Sequence, residues 1–371
     1  MFKFSANQNR VKHLLSIFVA GVAASAIAEN IRVNNIAQAN DKPKVVASHN
    51  IICDLVQTIA QDSIDLTCLI DSNQDPHTYR PTPKDLQAIE SAQLIFYGGY
   101  ELEPLITQLL AGVETPKIAL YEQAVSQPIM AEHHDHGDHD DHDDHEDHDD
   151  HDDHDDHSDH GDHEDHEDHE DHGDHNESSK AEAAAELEPD PHVWHDVENA
   201  VKMVDSIQST LLQLNATAAE TYSTNSVNFS EQLWQLDGWI TDQINTIPPG
   251  QKTLVTTHDA LNYYVQAYGL EDYQTLQGLS AASSPTASQV RELSKEIKQA
   301  GIPTIFAEST KSDRVLQNVA RAADVKLSPQ PLYVDGLGQA ENYTEMMSHN
   351  TCAIVDGLGG ECQAFEPEIT P

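Results

Sequence analysis

The amino-acid sequence predicts an α/β protein of two lobes, each with a parallel sheet flanked by helices, joined by a long backbone helix. Three observations lead there. Strand-like runs alternate with helix-like ones from Lys44 to Gly98, and the same alternation resumes from Thr253 to Glu308. Between the halves lies a long amphipathic stretch nearly free of Pro and Gly. Strands that alternate with helical crossovers form parallel sheets covered on both faces.

Taken in order, residues 1–28 read as a signal peptide. Lys3, Arg10 and Lys12 make a positive start, Leu14 to Ala24 is apolar, and Ala26-Ile27-Ala28 supplies the small-residue cleavage pattern. The apolar run is short for a bilayer span, no later run of about eighteen apolar residues occurs, and no Cys follows the cleavage site to take a lipid. A soluble, exported protein is expected, without direct membrane insertion.

Residues 43–215 are expected to form the N-terminal lobe. "KVVAS" (Lys44 to Ser48), "IDLTCLI" (Ile64 to Ile70) and "LIFYG" (Leu94 to Gly98) read as strands, and Thr82 with Pro83 should open a helix. Residues 216–248 predict the linking helix. Phe229, Leu233, Leu236, Ile240 and Ile244 recur at three- and four-residue steps, and Pro248-Pro249-Gly250 closes the run. That periodicity suits a core helix of one domain or a rod between two lobes, and we take the rod. Residues 251–371 form the C-terminal lobe. There "TLVTT" and "PTIFAE" read as strands, Thr286 and Gln289 as a capping box, and Gly301 as the end of the helix they open.

The formal charge of −45 is extreme, but much of it belongs to one insert. Residues 132–180 are expected to be a disordered loop within the first lobe, lacking apolar side chains to offset chain entropy. From His133 to His175 the chain holds 16 of its 23 His and 23 of its 64 acidic residues. His133, His136, His139, His142, His145, His148, His151, His154, His157, His160, His163, His166, His169, His172 and His175 follow a three-residue step. A solubilising run needs no imidazole, so weak, multiple metal binding is the better reading. Outside this tract nothing basic is concentrated enough to hold nucleic acid or an anionic membrane. Four cysteines suit an exported chain; Cys53–Cys68 and Cys352–Cys362 are the simplest of three pairings, and no CxxC occurs.

Beyond the tract and the signal, six histidines remain: His49, His77, His192, His195, His258 and His349. Two follow Asp-Pro, in "DPHTYRP" from Asp75 and "DPHVWHD" from Asp190; a third, His258, ends "TLVTTH". Ligands of open parallel sheets bind beyond the carboxyl ends of strands, where distant segments converge. The Pro limits the backbone before each His, and Asp75 and Asp190 can accept hydrogen bonds from nearby N–H groups or from the imidazole. A His₃ site for a borderline metal such as zinc results. His49 and His349 are expected to be structural, and His195 to face solvent or cap a helix.

The stretch "DPHTYRPTPKDLQAIESAQLIFYGGYELEP", with "DPHVWHD" and "VTTHDALNYYVQAYGL", resembles the metal-binding class of ABC-transporter solute-binding proteins, and within it the zinc-uptake, ZnuA-type branch. The resemblance runs from about Lys44 to the end of the chain. It implies two lobes on a backbone helix, with a metal cleft between them holding Zn²⁺ as transported ligand. It implies His77, His192 and His258 as ligands, and Asp335 in "YVDGLG" as the fourth; the Ser usual after that Asp is missing, so a water is the alternative. Glu308 in "FAEST" is then an outer-shell group or a solvated strand-end acid. The implied partners are a zinc ABC permease and, through it, its ATPase, reached by a periplasmic monomer. No phosphate-binding GxxxxGK[ST] loop occurs in this chain.

Manganese-type relatives carry a carboxylate where this chain has His258, and imidazoles favour zinc over manganese. Manganese remains the alternative metal. Two alternative functions stand beside transport: an exported zinc hydrolase, for which Glu308 is the one candidate base, and a metal buffer without a transporter.

Overall fold

Strand β1 (Lys44–Ala47) is central to the first sheet, and its composition shows why. Val45 and Ala47 point into one core and Val46 into another, so the strand is apolar on both faces, as a covered parallel sheet requires. Helix α1 (Asn50–Ala60) follows, then β2 (Asp65–Cys68), α2 (Pro83–Ser91), β3 (Leu94–Tyr97), α3 (Pro104–Leu110), β4 (Lys117–Ala119) and α4 (Leu120–Ala124). The sheet is parallel throughout, in the order β2-β1-β3-β4. Thr82 caps α2 as expected and forms a full capping box with Asp85.

The structure is a computed structural model that describes residues 42–132, 187–278 and 285–368. The signal segment and the His/Asp tract from His133 to His175 lie outside the described residues. Flanking the tract, β5 (Met130–Glu132) and β6 (Leu187–Pro189) pair antiparallel. Helix α5 (Val197–Leu214), which the sequence reading passes over, is capped by Asp196. Next comes α6 (Ala219–Ile244), whose 26 residues span about 39 Å. It starts after a 3₁₀ turn at Ala216–Ala218 and ends short of Pro248.

The second lobe repeats the plan with β7 (Thr253–Thr256), α7 (Asn262–Tyr268), β8 (Asp272–Thr275), α8 (Ala287–Ala300), β9 (Thr304–Ile305), α9 (Arg314–Ala323), β10 (Lys326–Leu327) and α10 (Tyr343–Gly357). β7 pairs with β8 and β9 with β10, all parallel, and Phe306 N–H donates to Val255 O at 2.9 Å to join the two pairs. The resulting order, β8-β7-β9-β10, matches β2-β1-β3-β4.

Helix α6 serves both lobes. Asn225 Nδ2 donates to Ile59 O of α1 at 2.9 Å, and at the far end Gln243 Oε1 accepts from Gln363 N at 2.8 Å. Ile51 and Leu55 of α1, Leu233 and Leu236 of α6, and Met346 and Ile354 of α10 share one continuous apolar core. The lobes are therefore packed together through their common helix, and large independent motion would expose that core. Cys53–Cys68 ties α1 to β2 and Cys352–Cys362 ties α10 to the tail, with Cα separations of 5.9 and 5.1 Å. No helix among the described residues is long and apolar enough to cross a membrane.

Candidate metal centre

The two Asp-Pro-His phrases fold into the same small turn. Asp75 Oδ1 accepts from His77 N–H at 3.0 Å, and Asp190 Oδ1 accepts from His192 N–H at 2.9 Å. An Asp side chain bonded to the N–H two residues on, with Pro fixing the backbone between, presents the following His in one orientation. Asp190 does more: the same oxygen accepts from His192 Nδ1 at 2.8 Å, and Oδ2 accepts from Asn262 Nδ2 of the second lobe at 3.1 Å. His258 sits just past β7. Glu308 Oε1 accepts from Thr257 N–H and His258 N–H at 2.8 and 2.9 Å, while Oε2 accepts from His258 Nδ1 at 2.6 Å. Glu308 is 2% exposed, so it is an interior partner of His258 and not a solvated acid.

Asp335 closes the arrangement from a segment that runs beside Glu308 through a parallel bridge at Leu332. Ligand atoms of His77, His192, His258 and Asp335 all lie within 4.8 Å of one another. His77 Nε2 is 3.2 Å from His192 Nε2. Asp335 Oδ1 is 3.6, 3.7 and 3.2 Å from Nε2 of His77, His192 and His258. His192, His258 and Asp335 are fully buried, and the His77 side chain is 5% exposed. His258 Nε2 and Asp335 Oδ1 make no hydrogen bond although both are buried. Without a bound ion these two atoms offset each other only as an ion pair at 3.2 Å, outside hydrogen-bond geometry, and a cation among the four groups would satisfy both.

Charge is organised around this point. Burial disfavours a proton on His258, but Glu308 and Asp335 overcome it and raise the pKa to about 10. Burial opposes His192 in the same way, and Asp190 and Asp335 lift it above its ordinary value. Burial dominates at His77 and lowers it. At Asp335 burial works against ionisation, and the surrounding imidazoles hold its carboxyl well below the usual range. Carboxylates thus back the imidazoles: the outer nitrogens of His192 and His258 are bonded to Asp190 and Glu308, an arrangement that orients metal-binding His.

The chain matches the family model "ZnuA: Zinc-uptake complex component A periplasmic" over residues 45–357. The chain belongs to the ZnuA family. Among relatives, the zinc-binding protein TroA of Treponema pallidum is 28% identical over 331 residues, 87% of this chain and 91% of that protein. The manganese-binding lipoprotein MntA of Halalkalibacterium halodurans is 26% identical over 344 residues, 92% of this chain and 95% of that protein. The solved structure of the periplasmic zinc binding protein TroA from Treponema pallidum superposes with a TM-score of 0.67 at 27% identity, covering 85% of this chain and 99% of that one. This ZnuA-family chain is a metal ABC transporter substrate-binding protein with the two-lobe fold, and it is not an enzyme. The hydrolase reading falls with that assignment.

The remaining histidines of this family member take other parts. His195, expected in solvent or at a cap, is fully buried. Its Nε2–H donates to Val334 O at 2.9 Å, across the lobes, and burial lowers its pKa to about 3. The signal was present in "HVWH": Trp194 and His195 enter the interior together beneath the site, their rings 5.4 Å apart. His49 donates from Nε2 to Asp335 O at 2.9 Å and accepts from Tyr121 OH at 2.6 Å. His349 stacks on Tyr333 with ring centroids 4.1 Å apart and bonds to Pro331 O. Sequence reasoning missed Asn262, Thr310 and Lys311, whose partners lie far along the chain.

Proposed function

We propose that the chain captures Zn²⁺ with His77, His192, His258 and Asp335 and delivers it to a zinc ABC permease, acting as an exported, soluble monomer. One observation carries the reading: three imidazole nitrogens and one carboxylate oxygen face a common point, all within 4.8 Å of one another, and the His77–His192 and three Asp335–His pairs are 3.2–3.7 Å apart. A tetrahedron with metal–ligand bonds of roughly 2.0–2.1 Å has edges of roughly 3.3–3.4 Å, the zinc geometry. Manganese favours oxygen-rich octahedral sites, and this donor set is mostly imidazole nitrogen. Asp335 is the fourth ligand, in preference to a water, because its Oδ1 already faces the three rings. Residues 43–215 and 251–371 act as the lobes and 216–248 as their link. The His/Asp tract gathers further zinc weakly, for delivery or for sensing abundance.

Calorimetric titration of the mature chain, and of a form lacking residues 133–175, with Zn²⁺ and with Mn²⁺, tests this. One tight zinc site should survive the deletion while several weak ones vanish, and Mn²⁺ should bind far more weakly. Loss of the tight site on deletion, or tighter binding of Mn²⁺, overturns the reading. Unchanged cellular zinc uptake after deleting the whole gene would favour a buffer.

A further inference from the structure

The second oxygen of Asp335 is already taken. Thr310 Oγ1 donates to Asp335 Oδ2 at 2.5 Å, and Lys311 Nζ lies 3.3 Å from the same oxygen. The ammonium also pairs with Asp75 Oδ2, the outer carboxylate of the first Asp-Pro-His turn. The Lys311 side chain is 11% exposed and Asp335 not at all, so water competes little for these contacts. Oδ1, by contrast, has no hydrogen bond and points at the three rings.

We infer that Lys311, with Thr310, holds Asp335 as a one-oxygen donor and thereby sets the site for a four-coordinate borderline cation, Zn²⁺, against Mn²⁺. This rests on the four ligands proposed above. To offer both oxygens to an ion, the carboxylate must turn and give up Thr310 and Lys311 together, leaving a nearly buried ammonium with Asp75 alone. Five- and six-coordinate ions draw their affinity from such extra oxygens, whereas a tetrahedral ion loses nothing by their absence. The positive charge also weakens the carboxylate as a purely ionic donor. A hard cation depends on that charge most, and an ion bound chiefly through imidazole least. Lys311 is thus a positioning residue: it reaches the ion only through Asp335. By pairing Asp75 it also fixes the turn that carries His77, so one side chain registers the two lobes at the site.

Three variants of the tract-deleted protein test this: Lys311→Met, Lys311→Arg and Thr310→Val. Zinc and manganese affinities are measured by chelator competition, and zinc coordination number by X-ray absorption. The native chain should show four nearest ligands. Lys311→Met should shift the zinc-to-manganese affinity ratio towards manganese by about tenfold or more, the scale of outer-shell changes, and raise the coordination number above four. Lys311→Arg should restore four, and Thr310→Val should move the ratio in the same direction by less. If Lys311→Met and Thr310→Val keep four-coordinate zinc and the native ratio, the role of Lys311 is refuted while the zinc site stands. Should Lys311→Met fail to fold, Thr310→Val decides alone by the same readouts. If the native chain itself shows no tight zinc site, the four-ligand reading fails instead.

Discussion

Replacing Glu308 with Gln probes how the interior carboxylate controls His258. In the native chain one oxygen of Glu308 accepts two backbone N–H groups, which fixes how a Gln amide must sit. Its carbonyl oxygen takes that position, and its NH₂ then faces His258 Nδ1, where Oε2 stood at 2.6 Å. Two donors cannot share that contact, so the ring proton moves to Nε2, the atom that zinc needs. A full negative charge is lost as well. Against these losses stands the proton that Glu308 helps to hold. Without zinc, burial opposes charging of His258, yet the carboxylates raise its pKa to about 10. At pH 7 zinc must displace that proton, at a cost of about 4 kcal/mol from three units at 1.36 kcal/mol each. Glu308→Gln removes much of that competition, so the net loss at neutral pH is about tenfold to a hundredfold. The sign of the pH dependence follows. Native affinity should climb by at least about one log unit per pH unit below the His258 pKa, as that ring gives up its proton to each ion, and the variant's should climb less. The native-to-variant ratio therefore widens from pH 6.5 to 8.5. Chelator competition on the tract-deleted proteins reads it. A ratio that narrows as pH rises, or a variant within about threefold of native throughout, would refute the reasoning.

Three further outcomes are expected. His195→Ala should lower stability by about 2–4 kcal/mol, through the lost bond to Val334 O and the cavity left behind, yet reduce zinc affinity by less than about tenfold. His192→Ala should reduce affinity by more than about a hundredfold; urea unfolding and chelator competition on both variants separate the two roles. Asp54 accepts from Tyr343 N–H, and burial, partly offset by that bond, raises its pKa to about 6. A raised carboxylate favours the fold below the unfolded value near 3.8 and loses that contribution as pH rises through about 6. Asp54→Asn keeps the acceptor without the charge, so it should gain on the order of 2 kcal/mol at pH 8 and nothing at pH 4, measured by denaturation at both.

Much of the fold was legible because its signals are local. "KVVAS" is apolar on both faces because its sheet is covered twice, Thr82 and Thr286 cap their helices through contacts three residues away, and the linking helix shows its 3.6-residue period. Helix α5 is not among the expected elements, although Asp196, just past the Asp-Pro-His phrase, and the run that follows carry an ordinary N-terminal signal. The strand at "PTIFAE" shortened to Thr304–Ile305, since beyond it Glu308 turns inward to His258 and only a bridge to Leu332 remains.

By itself the sequence determined the two lobes, the linking helix, and two Asx-type turns that each present a His, since a turn closed by an Asp two residues upstream needs nothing from the rest of the chain. It also marked His258 at a strand end. Only the tertiary structure decided what surrounds them. The bond from Lys311 to Asp75 joins residues 236 apart, and His49 reaches Asp335 across 286. The burial of His195 and Glu308 depends on lobes packing over them. Such contacts follow from where two sheets place their carboxyl ends around a shared helix, a property of the chain's path in space that no local pattern of residues encodes.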